Sequence, residues 1–382
     1  KSGFTLDRIS SLFWNLIGSH SDDTLRTLER DIAPRLSRHM SETAANRALF
    51  LKIDQLWRDR DQQDYSLEQT RVLEQHWKRF VRSGARLSED QQKHLADINA
   101  ELAELGAAFS QNILADESQW TLPLSDETEL GGLPDFLLSA MRQSAREKGL
   151  EQEFCVTLSR SIIEPFLMFS TRRDLREIAF KAWSMRGENG ADTDNQVHVA
   201  RIVDLRQQKA DLLGYSSFAA FKLEDQMAKD PGNVANLLNQ VWDKALEKAD
   251  QEEAELASLV ARDGGNHPVM PWDWRHYSEK LRSEKFDYDA AQLKPYFPLD
   301  NMISAAFDVA NRLFGVTFEE HTDVKLYHPD VRLFDVKDRD GQQQALFLAD
   351  YFARSSKRSG AWMSGFQSQH KLVNNDGSTG SK

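Results

Sequence analysis

Apolar residues recur at the helical period along the first two-thirds of the chain. Leu6, Ile9, Leu12, Phe13 and Leu16 fall on one face at 3.6-residue spacing and predict an opening helix. Val72, Leu73, Trp77, Phe80 and Val81 repeat the pattern. Ser66 and Gln69 stand just before them as a capping box, in which the serine hydroxyl and the glutamine side chain each satisfy a free helix amide. Gly84 supplies the stop. A second box, Ser88 with Gln91, opens the longest stripe, where Leu95, Ile98, Leu102, Leu105, Phe109 and Ile113 step by 3, 4, 3, 4 and 4. That predicts a helix of roughly 25–30 residues. A core helix packed on its neighbours explains the stripe better than a coiled-coil dimer, which requires several sustained heptads with flanking charge pairs.

The pattern then changes. Trp120 to Leu124 reads as a short extended segment, Gly131-Gly132 as a turn, Pro134 as a helix start and Gly149 as its stop. A strand over Phe154 to Leu158 is expected next. Helices follow at about 172–186, 195–213 and 231–262, each ended by glycine. The run NHPVMPWDWRHYSEK after Gly265 predicts a surface loop followed by a helix. Asp300 to Phe314 is amphipathic and closed by Gly315. Val331 to Val336 and Ala345 to Tyr351, separated by the polar turn DRDG, make the clearest hairpin. The tail NNDGSTGSK, Asn374 to Lys382, reads as a turn or loop.

Composition narrows the function classes. With 382 residues, 40% of them hydrophobic, the chain can build more than one small core. Its net charge of −12 argues against a nucleic-acid partner, because phosphate binding needs a basic face. It fits a soluble cytoplasmic protein. The lone cysteine, Cys155, rules out an intrachain disulfide and suits a reducing compartment; its setting in FCVTL predicts a buried structural thiol. No stretch approaches the roughly 18 apolar residues of a membrane span. The first helix begins almost at Lys1 with neither cap nor leader, which suggests a chain cut from something longer.

Candidate chemistry is sparse. A helical zinc site needs two histidines four residues apart, and no two of the ten histidines have that spacing. There is no G-x-S-x-G elbow, no P-loop and no G-x-G-x-x-G. By motif alone the residues describe a helical protein with a small β element and no catalytic constellation.

Five blocks, taken in order, resemble the thimet-oligopeptidase and dipeptidyl-carboxypeptidase family of zinc metallopeptidases. They are ELAELGAAFSQNILAD (Glu101 to Asp116), LLGYSSFAAFKLEDQMAKDP (Leu212 to Pro231), WDWRHYSEKLR with LKPYFPLDNMISAAFDVANRLFGVTFEE, HPDVRLFDVKDRDG, and LADYFARSSKRSGAWMS. The Gly-Ala-Trp-Met-Ser wording looks more like the dipeptidyl-carboxypeptidase branch. The resemblance implies a mainly α fold: a helical lobe of a two-lobed zincin-like peptidase, with a small β-hairpin near the C-terminus. It divides the chain into a helical lobe, 1–265, and the start of the catalytic-domain side, 266–382. It also implies a parent protein that binds one zinc and releases C-terminal dipeptides or cuts short peptides. The family's His-Glu-x-x-His helix, its further Glu ligand and its substrate-facing Tyr and His have no counterpart before Lys382. No catalytic residue and no metal ligand is therefore carried over, and the chain alone is expected to be inactive and to bind no zinc itself.

What the resemblance leaves here is a candidate substrate edge. It places Gly360, Ala361, Trp362, Met363 and Ser364 on a strand, Gly360 to Phe366, beside the cleft, where an extended peptide gains main-chain hydrogen bonds. The opposing expectation is that Trp362 and Met363 are core. Arg354, Lys357 and Arg358 form a basic cluster, read as solvated surface or as an anchor for a peptide carboxylate. Tyr296, Phe297, Trp272 and Trp274 read as packing residues. The expected partners are short peptides and the missing catalytic portion, or a second copy meeting exposed apolar surface. The alternative to an enzyme portion is an inactive truncated relative that serves as a peptide-binding or regulatory helical module.

Overall fold

A computed structural model describes residues 3–286, 290–354, 356–358 and 360–367. The tail expected to be a loop lies outside them. The fold is mainly α, with two small antiparallel sheets. The order begins α1 (Phe4–Ser19), α2 (Asp23–Ala44), α3 (Arg47–Arg58), α4 (Leu67–Arg82) and α5 (Glu89–Gln119). Then come β1 (Thr121–Leu124), α6 (Asp135–Glu147), β2 (Phe154–Thr157), α7 (Arg160–Phe169), α8 (Arg173–Ser184), α9 (Gln196–Leu212) and α10 (Phe218–Leu223). The rest is α11 (Pro231–Arg262), α12 (Pro271–Phe286), α13 (Ala290–Leu293), α14 (Leu299–Phe314), β3 (Thr317–His321), β4 (Arg332–Lys337) and β5 (Gln343–Ala349).

The start signals act as expected. The Ser66 hydroxyl accepts from the Gln69 amide while the Gln69 side chain accepts from the Ser66 amide, and Ser88 with Gln91 repeats the arrangement. Two elements depart from sequence rules. α2 and α7 each hold an internal proline, Pro34 and Pro165. α7 was not expected, because proline ordinarily ends a helix at the residue before it. Burial of Ile162, Ile163, Phe166 and Leu167 offsets the missing amide bond. The expected loop after Gly265 is also shorter than predicted: α12 starts at Pro271, which suits a first helical position, and takes up WDWRHYSEK.

The chain divides into two compact units that interleave in sequence: residues 1–22, 120–183 and 256–382, and residues 23–119 and 184–255. The sequence reading instead divides it once, after Gly265. In the second unit α5 packs on α2 and α9, with Leu95 and Ile98 enclosed. Asp116 organises a connection there by accepting from the Gly187 amide at 2.7 Å and the Thr193 hydroxyl at 2.5 Å. In the first unit β1 pairs antiparallel with β2, and this ribbon with α6, α7 and α8 encloses Leu137, Met141, Val156, Ile163, Phe166 and Ala179. The end of α11 packs Leu256, Leu259 and Val260 against Tyr277 and Trp274 of α12.

The same unit carries the second sheet, ordered β3-β4-β5. The expected β4–β5 hairpin forms. β3 is an addition that TFEEH did not announce, since the adjacent Glu319 and Glu320 break any alternation of apolar and polar positions. Phe318, Phe334 and Phe347 share one face of this sheet by register. Phe307 of α14 lies on that face, stacked at 3.9 Å on Phe318 and edge-on at 5.0 Å to Phe334.

Candidate functional site

Ala349 ends β5 in a buried position, and the chain then turns off the sheet at Asp350. The Asp350 carboxylate is a hub. It accepts from the Tyr327 hydroxyl at 2.9 Å, from two Arg354 nitrogens at 2.8 and 2.7 Å, and pairs with the Lys357 ammonium at 3.1 Å. Lys357 also donates to the Asp350 carbonyl at 2.7 Å. Burial works to raise the Asp350 pKa, but the hydrogen bonds from Arg354, Lys357 and Tyr327 outweigh it and hold it at about 2. The Arg354 and Lys357 side chains are only 11% and 10% exposed, so they are neither a solvated patch nor an anchor for a peptide carboxylate. That part of the sequence expectation is corrected, because the acid that neutralises both bases precedes them in the same segment.

Gly360–Ser364 follows this hub. The expected strand is not formed: no ladder pairs these residues, and among the described residues no backbone hydrogen bond engages their amides or carbonyls. Gly360 adopts φ 103°, a region that favours glycine. Ala361 and Ser364 are exposed, and Met363 is 95% exposed, so Met363 is not core. Trp362 is half-buried, with the Arg358 guanidinium 4.6 Å and the Lys357 ammonium 5.6 Å from its ring. The structure therefore brings the five candidate residues together in one stretch that is exposed except at Trp362 and has a backbone unpaired among the described residues.

The aromatic expectations divide. Trp274 packs in the α11–α12 cluster. Trp272 is half-buried with Arg173 and Lys181 over its ring. Tyr296 and Phe297 are 74% and 56% exposed, against the expected packing, since nothing described covers the turn that holds them.

His276, His321, His20, His328 and Cys155 make structural contacts. His276 is half-buried with Nδ1 3.1 Å from the Met168 carbonyl, so that nitrogen carries the proton. Burial, reinforced by Arg176, pushes its pKa down to about 4. His321 Nε2 sits 2.9 Å from the Asp335 carboxylate. The His20 and His328 rings meet edge to face at 5.5 Å. Among the described residues no three His, Cys, Asp or Glu side chains converge as a metal site, so the residues present do not fit the zinc that the resemblance implies. His370 lies outside the described residues. Burial pushes the Cys155 thiol up, away from the reactive thiolate. Asp350 and Tyr327 are the hub residues that the sequence reading passed over. Asp350 stands four residues before Arg354 and seven before Lys357, a helical spacing, but the segment is not a helix, so the spacing does not explain the pairing.

Residues 166–381, more than half of the chain, match Peptidase family M3, and the chain belongs to that family. It is 35% identical to the dipeptidyl carboxypeptidase of Escherichia coli (strain K12) over 373 residues, covering 97% of this chain and 55% of that protein. It is 36% identical to the dipeptidyl carboxypeptidase of Salmonella typhimurium over the same shares. To oligopeptidase A of Haemophilus influenzae it is 32% identical, over 94% of this chain and 53% of that protein. Identity is thus higher to the dipeptidyl carboxypeptidases than to oligopeptidase A. The chain spans about half the length of the curated relatives it matches.

Proposed function

We propose that this chain is the upstream portion of a zinc-dependent oligopeptidase that releases C-terminal dipeptides or cuts short peptides, and that Gly360–Ser364 meets the substrate. The observation that carries the reading is that the backbone of these five residues is unpaired among the described residues, and that all of them but Trp362 are exposed. Edge backbone of this kind can hydrogen-bond an extended peptide of almost any sequence, which suits an enzyme that cuts many peptides. Gly360 and Ala361 allow close approach. Family membership supplies the reaction class. Zinc and the general base belong to polypeptide outside this chain, and no chemical step is assigned to its own residues. The absence of any membrane-length apolar helix among the described residues agrees with a cytoplasmic location.

The apolar stripe of α14 that faces away from the sheet is where that further polypeptide rests. Leu299, Met302, Val309 and Leu313 lie along it at helical spacing and are 39%, 39%, 52% and 67% exposed. The relatives supply an occupant, since nearly half of their length lies outside the match.

The test is a titration of the chain with N-acetylated tetra-alanine, read by tryptophan fluorescence, with parallel incubation in added zinc. Saturable binding without cleavage is expected. No binding overturns the docking segment, and dipeptide release by this chain alone overturns the placing of catalysis elsewhere. The alternative, an inactive peptide-binding module, shares the segment and the first result. A reading frame that stops after Lys382 would favour it.

A further inference from the structure

We propose that Asp350 is a positioning residue for Gly360–Ser364, and that through Asp350 the last turn of α1 sets where this stretch of backbone lies. The inference rests on the docking reading above and concerns a different part of it: what holds the segment, rather than what it binds.

The contacts close a ring. Arg354 forks onto Asp350 and, from the same Nη2, donates to the Ser19 carbonyl at 2.6 Å. The carbonyls at the end of a helix lack partners within it, so α1 has acceptors to offer at that point. The Arg358 amide donates to the Gly18 carbonyl at 2.8 Å, and the Ser21 amide donates to the Ser356 carbonyl at 2.8 Å. His20, in the same turn, lies against Tyr327, whose hydroxyl donates to Asp350. Lys357, held by the Asp350 carboxylate and carbonyl, reaches the Trp362 ring together with Arg358. Gly18 stands beside that same ring: a methyl group on it would lie 3.7 Å from the Trp362 six-membered ring.

The segment is therefore held at its entry and at its middle. Its entry is fixed at Arg358, only two residues before Gly360, which confines Gly360 to within roughly 7 Å of a pinned amide. Its middle is held at Trp362. Between and beyond, Gly360, Ala361, Met363 and Ser364 stay uncovered. An ordered but unpaired backbone binds an extended peptide without first losing its own freedom, which is how preorganisation raises affinity. The three groups on Asp350 are charge-assisted or hydroxyl donors with little exposure, the setting in which such bonds are strongest.

Two measurements on Asp350→Asn test this, with Tyr327→Phe as a milder change that deletes one donor and leaves both ion pairs. The first is amide hydrogen exchange without peptide. Expected is an acceleration of at least about ten-fold at the hydrogen-bonded amides of Ser21, Lys357 and Arg358 in Asp350→Asn, from the loss of charged hydrogen bonds, together with greater access of acrylamide to Trp362. The amides of β3, β4 and β5 should be unchanged, with a smaller effect in Tyr327→Phe and recovery in Asp350→Glu. Unchanged exchange at Ser21, Lys357 and Arg358, or equal acceleration in the sheet, overturns the positioning role. The second measurement is N-acetylated tetra-alanine affinity. If the wild-type chain binds and Asp350→Asn binds equally well, the positioning role alone fails. If the wild-type chain does not bind, the docking reading fails, and with it any positioning role.

Discussion

Arg176 of α8 donates to the Asp273 carboxylate of α12 at 2.9 Å, and neither side chain reaches solvent: they are 2% and 0% exposed. The ion pair is fully bonded. Arg176 also donates to the Ser170 and Trp272 carbonyls, and Asp273 further accepts from Arg173 and from the Met270 amide. A buried pair of this kind adds little over an apolar substitute, but removing one partner leaves a buried charge alone. Asp273→Ala should therefore lower stability by about 3–5 kcal/mol in urea unfolding. Arg173→Ala, which leaves Arg176 in place and removes a side chain 34% exposed, should have a much smaller effect. Equal losses would contradict this division of roles.

His276 makes stability depend on pH. Its ordinary value of 6.5 falls to about 4 in the fold, chiefly through burial and then through the Arg176 charge; Lys280 acts the same way, while the Met168 carbonyl and Asp263 oppose it. Above pH 6.5 the ring is neutral in both states. Below it the unfolded chain takes up a proton that the folded chain refuses until about pH 4, so stability falls as pH drops through that window. Asp350 acts in the same direction over a lower range: ionised in the fold down to about pH 2, its contribution is complete above its ordinary 3.8 and is lost as pH falls below that. Thermal midpoints for the wild type and His276→Gln should converge as pH falls from 6.5 to 4.

Gly360 carries the docking proposal in its backbone. At φ 103° a β-branched residue is strained by roughly 1–3 kcal/mol. Gly360→Val should weaken binding of N-acetylated tetra-alanine and lower stability by no more than that strain, because no core contact is lost. A variant that binds as the wild type does would argue against close approach at this position.

The two sides of α14 should respond differently. Phe307→Ala removes the ring stacked on Phe318 and should lower stability by about 2–3 kcal/mol, somewhat under the value for a fully buried phenylalanine. Leu313→Glu, at a position 67% exposed, should change stability by no more than about 0.5 kcal/mol. It should also reduce concentration-dependent self-association of the chain in sedimentation velocity. A chain that stays monomeric at high concentration would show that the stripe does not drive association on its own.

Local signals account for most of the helical fold. Ser66 with Gln69 and Ser88 with Gln91 mark helix starts because a capping box is made within four residues and needs nothing from elsewhere. Gly84 and Gly315 mark stops because their left-handed φ is a property of the residue. Family membership was legible too, since its blocks are contiguous in sequence. What tertiary structure decided is what depends on distant partners. Pro165 sits inside a helix because a surrounding core compensates for it. TFEEH is a strand because β4 lies beside it. Arg354 and Lys357 look like a free basic cluster until Tyr327 and the end of α1, more than 300 residues away, gather with them around Asp350. Sequence determines the local conformations; only the fold determines which charges are already satisfied, because that depends on the atoms brought within hydrogen-bonding distance.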